Sequence, residues 1–273
     1  LKLDPGSELV MNPGRRAPFG AFCFYLCFMK DNFSRQADLY AKYRPRYPQE
    51  LFDFVLQQAK NRQSAWDCAT GNGQSAKVLA DYFEKVFATD ISSKQIDYAE
   101  PASNIYYSVQ PADKTDFDND SFDLVTVSQA LHWFANDEFY AEVKRVSRPS
   151  SVFAAWSYSL LNISPSIDKL IGVYYRDVIG PYWDAERKYV DEEYKTIPFP
   201  FREIRSPRFE MIYYWTIEEL TGYFRTWSAF QKFTAANNHD PVPDIIEQIR
   251  PHWDDERMKI SFPLHVKIGF IEK

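Results

Sequence analysis

Two aspartates that follow apolar segments, with a small-residue turn between them, are the residues of this chain best suited to hold a nucleoside. Asp67 lies near the end of the segment Ala65–Cys68, and Asp90 ends the next apolar segment. The turn from Ala69 to Gly73 has little side-chain bulk, so its backbone N–H groups can approach a ligand. Open α/β folds bind ligands at the carboxyl ends of parallel strands, and an acid placed like Asp90 commonly binds ribose hydroxyls. The sequence therefore predicts a nucleoside site.

The segments around the turn must form a βαβ unit for these two carboxylates to meet. A strand over Ala65–Cys68 leads through the turn into a helix over Gln74–Phe83, and a second strand over Lys85–Thr89 ends on Asp90. Ser92 is suited to cap the helix that follows. Further strands are predicted over residues 104–109, 122–128, 152–156, 209–215 and 263–271, and further helices over 138–146, 165–178 and 216–233. Pro48 is predicted in the first turn of another helix, whose apolar stripe reaches Leu56.

The glycines of the turn leave two cofactor classes open. Gly71-x-Gly73-x-x-Ala76 fits the dinucleotide fingerprint, which predicts a nicotinamide cofactor. Asp67 argues against that cofactor, because a carboxylate just before the turn repels a pyrophosphate and suits a ligand with a cationic amine. We therefore favour a positively charged nucleoside and keep an NAD-dependent oxidoreductase as an alternative.

The same residues resemble two motifs of the class I S-adenosylmethionine-dependent methyltransferases. DCATGNG resembles the first motif, an acid followed by Gly-x-Gly-x-Gly, with Ala69 in the place of the first glycine. TDIS, which ends at Ser92, resembles the second motif, an acid that leads into the next helix. The resemblance implies S-adenosylmethionine as the cofactor and S-adenosylhomocysteine as the product.

Two further stretches resemble small-molecule methyltransferases of type 11 that are related to trans-aconitate methyltransferase. YAKYRPRYP, which contains Tyr43 and Arg44, resembles a segment that folds over the cofactor in that subfamily. Arg44 would pair with a carboxylate of the cofactor or of an acidic substrate, and the alternative is a surface arginine beside packed tyrosines. In QPAD, the resemblance implies that the Ala112 backbone and the Asp113 side chain bind the adenine amine.

SFDLVTVSQALHWF closely resembles the fourth motif of that group. At the end of a strand, Trp133 would cover the cofactor and attract its positive sulfur through a cation–π interaction. His132 could act as a general base near neutral pH, but a packed, hydrogen-bonded histidine is the alternative that we favour. The resemblance implies cofactor contacts from Tyr43, Arg44, Asp67, Ala69, Thr70, Gly71, Gly73, Asp90, Ile91, Ala112, Asp113, Gln129, Ala130 and Trp133.

The C-terminal half is expected to select the methyl acceptor. GPYW and PLHVKIG resemble the same subfamily, and a helical cap that begins at Thr216 is predicted between the last two strands. Aromatic side chains in this half could form an acceptor pocket, and the alternative is that they fill the core of the cap. The candidate acceptor contacts are Tyr40, Tyr182, Trp183, Tyr223 and Trp227.

The resemblance implies a Rossmann-like α/β fold, a three-layer sandwich with a seven-stranded, mostly parallel sheet. Residues 29–60 would form an N-terminal helical lid, 61–157 the cofactor-binding core, and 158–273 the acceptor half with its helical cap insertion. Residues 1–28 mimic a signal peptide but lack a small-residue cleavage site. We expect them to be a leader or non-native extension before Met29, with an export signal or membrane anchor as the alternative.

Charge and cysteine content narrow the expected partners. A net charge of −6 and a pI near 5.4 argue against nucleic acid, which needs a basic face. The three cysteines lack metal-ligand spacing, so we predict no metal site and a reducing, cytoplasmic location. We expect a monomer or homodimer without nucleic-acid or membrane partners.

The sequence as a whole predicts transfer of a methyl group from S-adenosylmethionine to a small molecule. The trans-aconitate likeness favours a carboxylate-bearing acceptor, which needs no base, whereas a carbon or hydroxyl acceptor would need one and His132 is the candidate. The alternative from another class is a protein that binds the cofactor without catalysis.

Overall fold

The computed structural model describes residues 42–273. Tyr40, the expected leader over residues 1–28 and the first part of the expected lid lie outside the described residues.

One central sheet organises the described part of the chain. Its strands are β1 (Ser64–Cys68), β2 (Lys85–Asp90), β3 (Ile105–Val109), β4 (Phe122–Ser128), β5 (Ser147–Tyr158), β6 (Arg202–Glu203), β7 (Phe209–Trp215) and β8 (Met258–Phe270). The order across the sheet is β3-β2-β1-β4-β5-β8-β6, and β7 also pairs with β8. Strands β1 to β5 are parallel, and β8 is antiparallel to its three neighbours. The predicted mostly parallel α/β fold is thus confirmed.

The sheet has eight strands where seven were expected, because its last edge strand is interrupted. β6 pairs with residues 269–270 of β8, and β7 pairs with residues 258–264 along the same edge. Pro207 lies between β6 and β7 and has no N–H to donate to β8, so it breaks the pairing.

Helices cover both faces of the sheet and are joined by short 3₁₀ and π segments. The α-helices are α1 (Gln49–Gln58), α2 (Gln74–Leu79), α3 (Ser93–Asp97), α4 (Asp137–Val146), α5 (Pro165–Val173), α6 (Arg187–Asp191), α7 (Ile217–Phe224), α8 (Ser228–Asn237) and α9 (Val242–Ile249). A π-helix, Tyr174–Val178, continues α5, and 3₁₀ helices occupy Leu131–Trp133, Gly180–Tyr182 and Arg250–His252.

The core consists of two layers, one on each face of the sheet. All five side chains of β1 are buried, which is typical of a parallel strand with helices on both faces. Alternate side chains enter different layers: Ala65 packs with Leu51 and Phe52 of α1, and Trp66 packs with Phe139 of α4. This arrangement is the expected three-layer sandwich.

Several boundaries differ from the sequence prediction. The helix after the turn ends at Leu79 because residues 80–82 form a turn, and strands β5 and β8 begin earlier than expected. Ser164 occupies the N-cap position of α5, but its side chain makes no capping bond; Asp168 accepts the N–H of Ile163 instead. The predicted helix over 216–233 is divided into α7 and α8, and α9 was not predicted.

Helices α7, α8 and α9 form the helical cap between β7 and β8. Thr216 begins the cap with a capping box: its hydroxyl accepts the N–H of Glu219, and the Glu219 carboxylate accepts the N–H of Thr216. The sequence signal for this helix start was therefore correct.

Candidate active site

The turn after β1 needs left-handed backbone at three positions. Ala69, Gly71 and Gly73 have φ values of +54°, +57° and +83°. Glycine adopts this region readily, whereas the Cβ of an alanine costs about 1–2 kcal/mol there. Gly71 and Gly73 thus meet the backbone requirement of the turn without a Cβ, whereas Ala69 meets it at an energetic cost.

Asp90 fixes the backbone on both sides of the site. Its Oδ2 accepts the N–H of Gly71 over 2.9 Å, and its Oδ1 accepts the N–H of Ser92 over 2.8 Å. Ser92 in turn caps α3 by accepting the N–H of Gln95, as predicted. Asp90 and the adjacent Ile91 are partly exposed, so both remain accessible to a ligand.

Asp67 is fully buried behind the turn. The hydroxyls of Thr70 and Thr126 donate to its two oxygens over 2.5 Å and 2.7 Å. Burial raises the pKa of Asp67 to about 6, with a smaller increase from the Asp90 charge, and the threonine hydroxyls oppose this shift. Asp67 therefore holds Thr70 and the turn in place. Its expected contact with the amine of the cofactor stays a prediction.

Three carboxylates converge on the end of β1. Burial is the main cause of a raised pKa of the Cys68 thiol, and Asp67, Asp90 and Asp113 all raise that pKa further. Asp113 lies after the buried Ala112, and its Oδ1 is buried without a hydrogen-bond partner among the described residues. A buried acceptor of this kind normally has a donor, so it is suited to bind an amine of a ligand.

The loop after β4 is tied to the end of β5. Gln129 has a φ of +55°, its Oε1 accepts the N–H of Tyr158 over 2.8 Å, and its Nε2 donates to the Tyr158 carbonyl over 3.4 Å. The side chain of Gln129 thus joins the loop after β4 to the end of β5. Its expected contact with the cofactor stays a prediction. Ala130 follows it and is partly buried.

His132 is a buried residue of the 3₁₀ helix Leu131–Trp133. Its Nδ1 lies 3.0 Å from the hydroxyl of Tyr194, and its ring lies 4.8 Å from the partly exposed Trp133 ring. Burial lowers the pKa of His132 to about 3, and the charge of Arg187 lowers it further, whereas Asp184 raises it. The imidazole is therefore neutral at pH 7 and a weak base.

The segment before α1 is held against the cap and the sheet. Arg44 donates from one terminal amino group to the Tyr158 hydroxyl over 2.6 Å and from the other to the Thr226 carbonyl over 3.0 Å. The Tyr43 ring packs against Gly222, where a Cβ would lie 2.6 Å from the ring. Arg44 is thus a partly buried connector between β5 and the cap.

Three of the acceptor candidates meet in one aromatic cluster. The Trp227 ring lies 5.8 Å from Trp183 and 5.6 Å from Tyr223. Tyr223 and Trp227 are buried and Trp183 is partly exposed, so the first two rings fill the core of the cap. Tyr182 packs instead on Phe233, 5.2 Å between ring centroids, outside this cluster.

Several residues of the site were missed by the sequence analysis. The hydroxyls of Ser75 and Ser128 lie 2.6 Å apart and join α2 to the end of β4. Ser128 and Tyr158 end their strands, so a search of every strand end would have found both. Arg187 and its partner Tyr175 had no local signal, because they meet only where α6 packs beside the π-helix Tyr174–Val178.

Two features are absent from the described residues. Within 42–273, no cluster of three or more histidine, cysteine, aspartate or glutamate side chains could hold a metal ion. No helix in that range combines the length and the apolar character needed to cross a membrane.

Comparison with known proteins places these features in a family. The profile described as "Methyltransferase domain" matches residues 66–155. A Dictyostelium discoideum protein that bears a methyltransferase name is 33% identical over 86% of this chain and 93% of its own length. A Saccharomyces cerevisiae protein named as an S-adenosylmethionine-dependent methyltransferase is 26% identical over 59% of each chain.

A solved structure gives the same result for the fold. A protein from Anaeromyxobacter dehalogenans, described as a type II methyltransferase, is 35% identical and superposes with a TM-score of 0.77. The match covers 84% of this chain and 98% of that protein.

Proposed function

Because this chain belongs to the class I S-adenosylmethionine-dependent methyltransferases, we propose that it methylates a small molecule that carries a carboxylate. The observation that carries the site assignment is the buried, unpartnered Oδ1 of Asp113, at the same sheet edge as Asp90. We assign cofactor binding to residues 61–157 and acceptor selection to residues 158–273.

The residues at this edge fit S-adenosylmethionine. Asp90 would bind the ribose hydroxyls beside the N–H groups of the turn, and Asp113 would accept the adenine amine. Ile91 and Trp133, both partly exposed, would cover apolar faces of the ligand. The cofactor supplies a methyl group on a positively charged sulfur, and three nearby carboxylates favour such a cation over a pyrophosphate.

A carboxylate acceptor is supported by the state of His132. The neutral, hydrogen-bonded imidazole has a pKa of about 3 and is poorly suited to remove a proton at pH 7. A carboxylate has lost its proton already at that pH. Its oxygen can bond to the methyl carbon without proton transfer, so orientation and exclusion of water are the tasks of this chain's residues.

We assign a positioning role to His132. Its Nδ1 meets the hydroxyl of Tyr194, which is fully buried after α6, and its ring packs on Trp133. These contacts hold the 3₁₀ helix Leu131–Trp133 against the buried Tyr194, and they thereby keep Trp133 at the edge of the sheet.

Calorimetric titration with S-adenosylhomocysteine tests the cofactor assignment. We expect binding to the wild type and a loss of at least tenfold, about 1.4 kcal/mol, in Asp90→Ala and in Asp113→Ala. Asp116→Ala is the matched control, because Asp116 is an exposed aspartate of the same segment, and it should bind like the wild type. Preferential binding of NADH would overturn the assignment.

A methyl-transfer assay across small carboxylates, alcohols and amines tests the acceptor class. We expect transfer to carboxylates alone. Tight binding of S-adenosylhomocysteine without transfer to any member of the panel would instead favour a binding protein without catalysis.

A further inference from the structure

Arg187 begins α6 and is a largely enclosed cation in the acceptor half of the chain. Its side chain is 18% exposed. The guanidinium carbon lies 4.6 Å from the centroid of the Trp183 ring and 5.5 Å from that of Tyr175. Cation–π contacts of this kind hold a guanidinium in an aromatic environment.

A π-helix supplies the group that orients Arg187. The Nε of Arg187 donates to the Tyr175 hydroxyl over 2.7 Å, and this hydroxyl donates to Asp191 over 2.5 Å. Nε also lies 3.4 Å from the same Asp191 oxygen. Tyr175 belongs to the π-helix Tyr174–Val178, a rare conformation that is frequent at functional sites.

The two terminal amino groups of Arg187 have no such partner. Of the three side-chain nitrogens of Arg187, only Nε takes part in a hydrogen bond with another residue of the range 42–273. A guanidinium has five N–H donors, so the four on the terminal amino groups of this partly exposed side chain are available to an acceptor of a ligand. Arg44 differs in this respect, since both its terminal amino groups donate to Tyr158 and Thr226.

Arg187 also lies close to the sheet edge that would hold the cofactor. Its charge lowers the pKa of His132, next to Trp133, and contributes in the same direction to the pKa of Tyr223 in the cap. In agreement with this, α6 contacts the 3₁₀ helix Leu131–Trp133, and the guanidinium lies against Trp183 of the aromatic cluster.

We propose that the terminal amino groups of Arg187 bind the carboxylate of the methyl acceptor, and that Tyr175 positions Arg187 for this contact. The inference rests on the proposed function and names its substrate class: a monocarboxylate with an apolar body. A guanidinium matches a carboxylate with two parallel hydrogen bonds. The partly exposed Trp183 ring, backed by Trp227, suits an apolar body beside the charged end.

Calorimetric titration of carboxylates into the full chain saturated with S-adenosylhomocysteine tests this proposal. The probes are hexanoate, benzoate and indole-3-acetate, with methyl benzoate as a neutral counterpart. We expect at least one carboxylate to bind the wild type, and Arg187→Met to weaken that binding at least tenfold. Arg187→Lys, which keeps the charge but loses the paired donors, should lose less. Methyl benzoate should bind both proteins equally weakly.

A matched control separates this site from a general effect of removing an arginine. Arg202 stacks 4.7 Å over Phe270 and pairs with Glu272, but it is on the exposed β6. Arg202→Met should bind the probes within twofold of the wild type. If Arg187→Met fails to fold, Tyr175→Phe removes the hydroxyl that links Nε of Arg187 to Asp191 and should weaken binding of the carboxylate several-fold.

Four results would overturn the proposal. The first is that no carboxylate binds the wild type, and the second is that carboxylate binding survives in Arg187→Met. The third is that Arg187→Met does not fold and carboxylate binding survives in Tyr175→Phe. The fourth is that Arg187→Met weakens binding of S-adenosylhomocysteine but not of 5′-methylthioadenosine, which lacks the amino-acid carboxylate; Arg187 would then hold the cofactor. Failure of S-adenosylhomocysteine to bind the wild type contradicts the proposed function instead, so the two failures are distinguishable.

Discussion

A Cβ added at Gly73 would lie 2.4 Å from the hydroxyl oxygen of Tyr107 and 3.2 Å from two carbons of its ring. Tyr107 extends from β3 across the start of α2, and its hydroxyl donates to the Glu100 carbonyl. The end of the glycine turn is therefore closed by a side chain from a strand two positions away in the sheet.

This contact predicts that Gly73→Ala destabilises the protein by at least 1 kcal/mol, because the new Cβ meets Tyr107 and the φ of +83° is strained. Tyr107→Phe removes the nearest atom, so the double variant should recover part of the loss. Urea denaturation of the four proteins measures the coupling. Strict additivity of the two changes would contradict the contact.

At Ala69, replacement by glycine is expected to stabilise the protein. Its φ of +54° costs an alanine about 1–2 kcal/mol, of which the extra entropy of an unfolded glycine offsets about 0.5–1 kcal/mol. Ala69→Gly should therefore stabilise the protein by about 0.5–1 kcal/mol in urea denaturation. Ala76→Gly, within α2, is the control and should destabilise it by about 1 kcal/mol or more. Equal effects from both changes would exclude backbone strain as the cause.

Asp67 predicts a pH dependence of stability. Burial raises its folded-state pKa to about 6, above the ordinary value of 3.8, so the native state binds the proton more tightly than the unfolded chain. The resulting stabilisation is complete below about pH 4 and is lost as pH rises through about 6. Its size is up to about 3 kcal/mol, at about 1.4 kcal/mol per pKa unit.

Asp67→Asn isolates this effect from the other titrating groups. The free energy of unfolding of the variant, relative to the wild type, should increase between pH 4 and pH 6.5 and then stay level. Thermal and urea denaturation at each pH provide the measurement. A difference that does not change with pH would show that Asp67 has an ordinary pKa.

His132 predicts a pH-independent reaction. Since a carboxylate acceptor is ionised and the imidazole is neutral, kcat should not rise between pH 6 and pH 8. His132→Gln keeps a hydrogen-bonding group near Tyr194, so its kcat should stay within about tenfold of the wild type. Loss of a general base would lower kcat by about a hundredfold or more. An apparent pKa of 6–7 in the wild type that disappears in the variant would establish His132 as the base.

Most strand positions along the chain and the glycine turn were predictable because their signals are local. Strand β4 agrees with its predicted bounds, Ser92 caps α3, and Thr216 begins the cap, since periodicity and capping involve residues within about four positions of each other. The βαβ rule then places Asp90 at the carboxyl edge of the sheet, beside the end of β1. The family resemblance likewise depended on short local motifs, such as DCATGNG and SFDLVTVSQALHWF.

The roles of single side chains were decided by tertiary packing. Burial and a hydrogen bond to Thr70 make Asp67 a support of the turn, and the side chain of Gln129 bonds to the backbone of Tyr158, 29 residues away. Arg187 has no motif, and its environment exists only where α6 meets a π-helix and the loop after β4. Solvent exclusion and contacts between distant segments set hydrogen-bond partners and pKa values, and neither is encoded in local spacing.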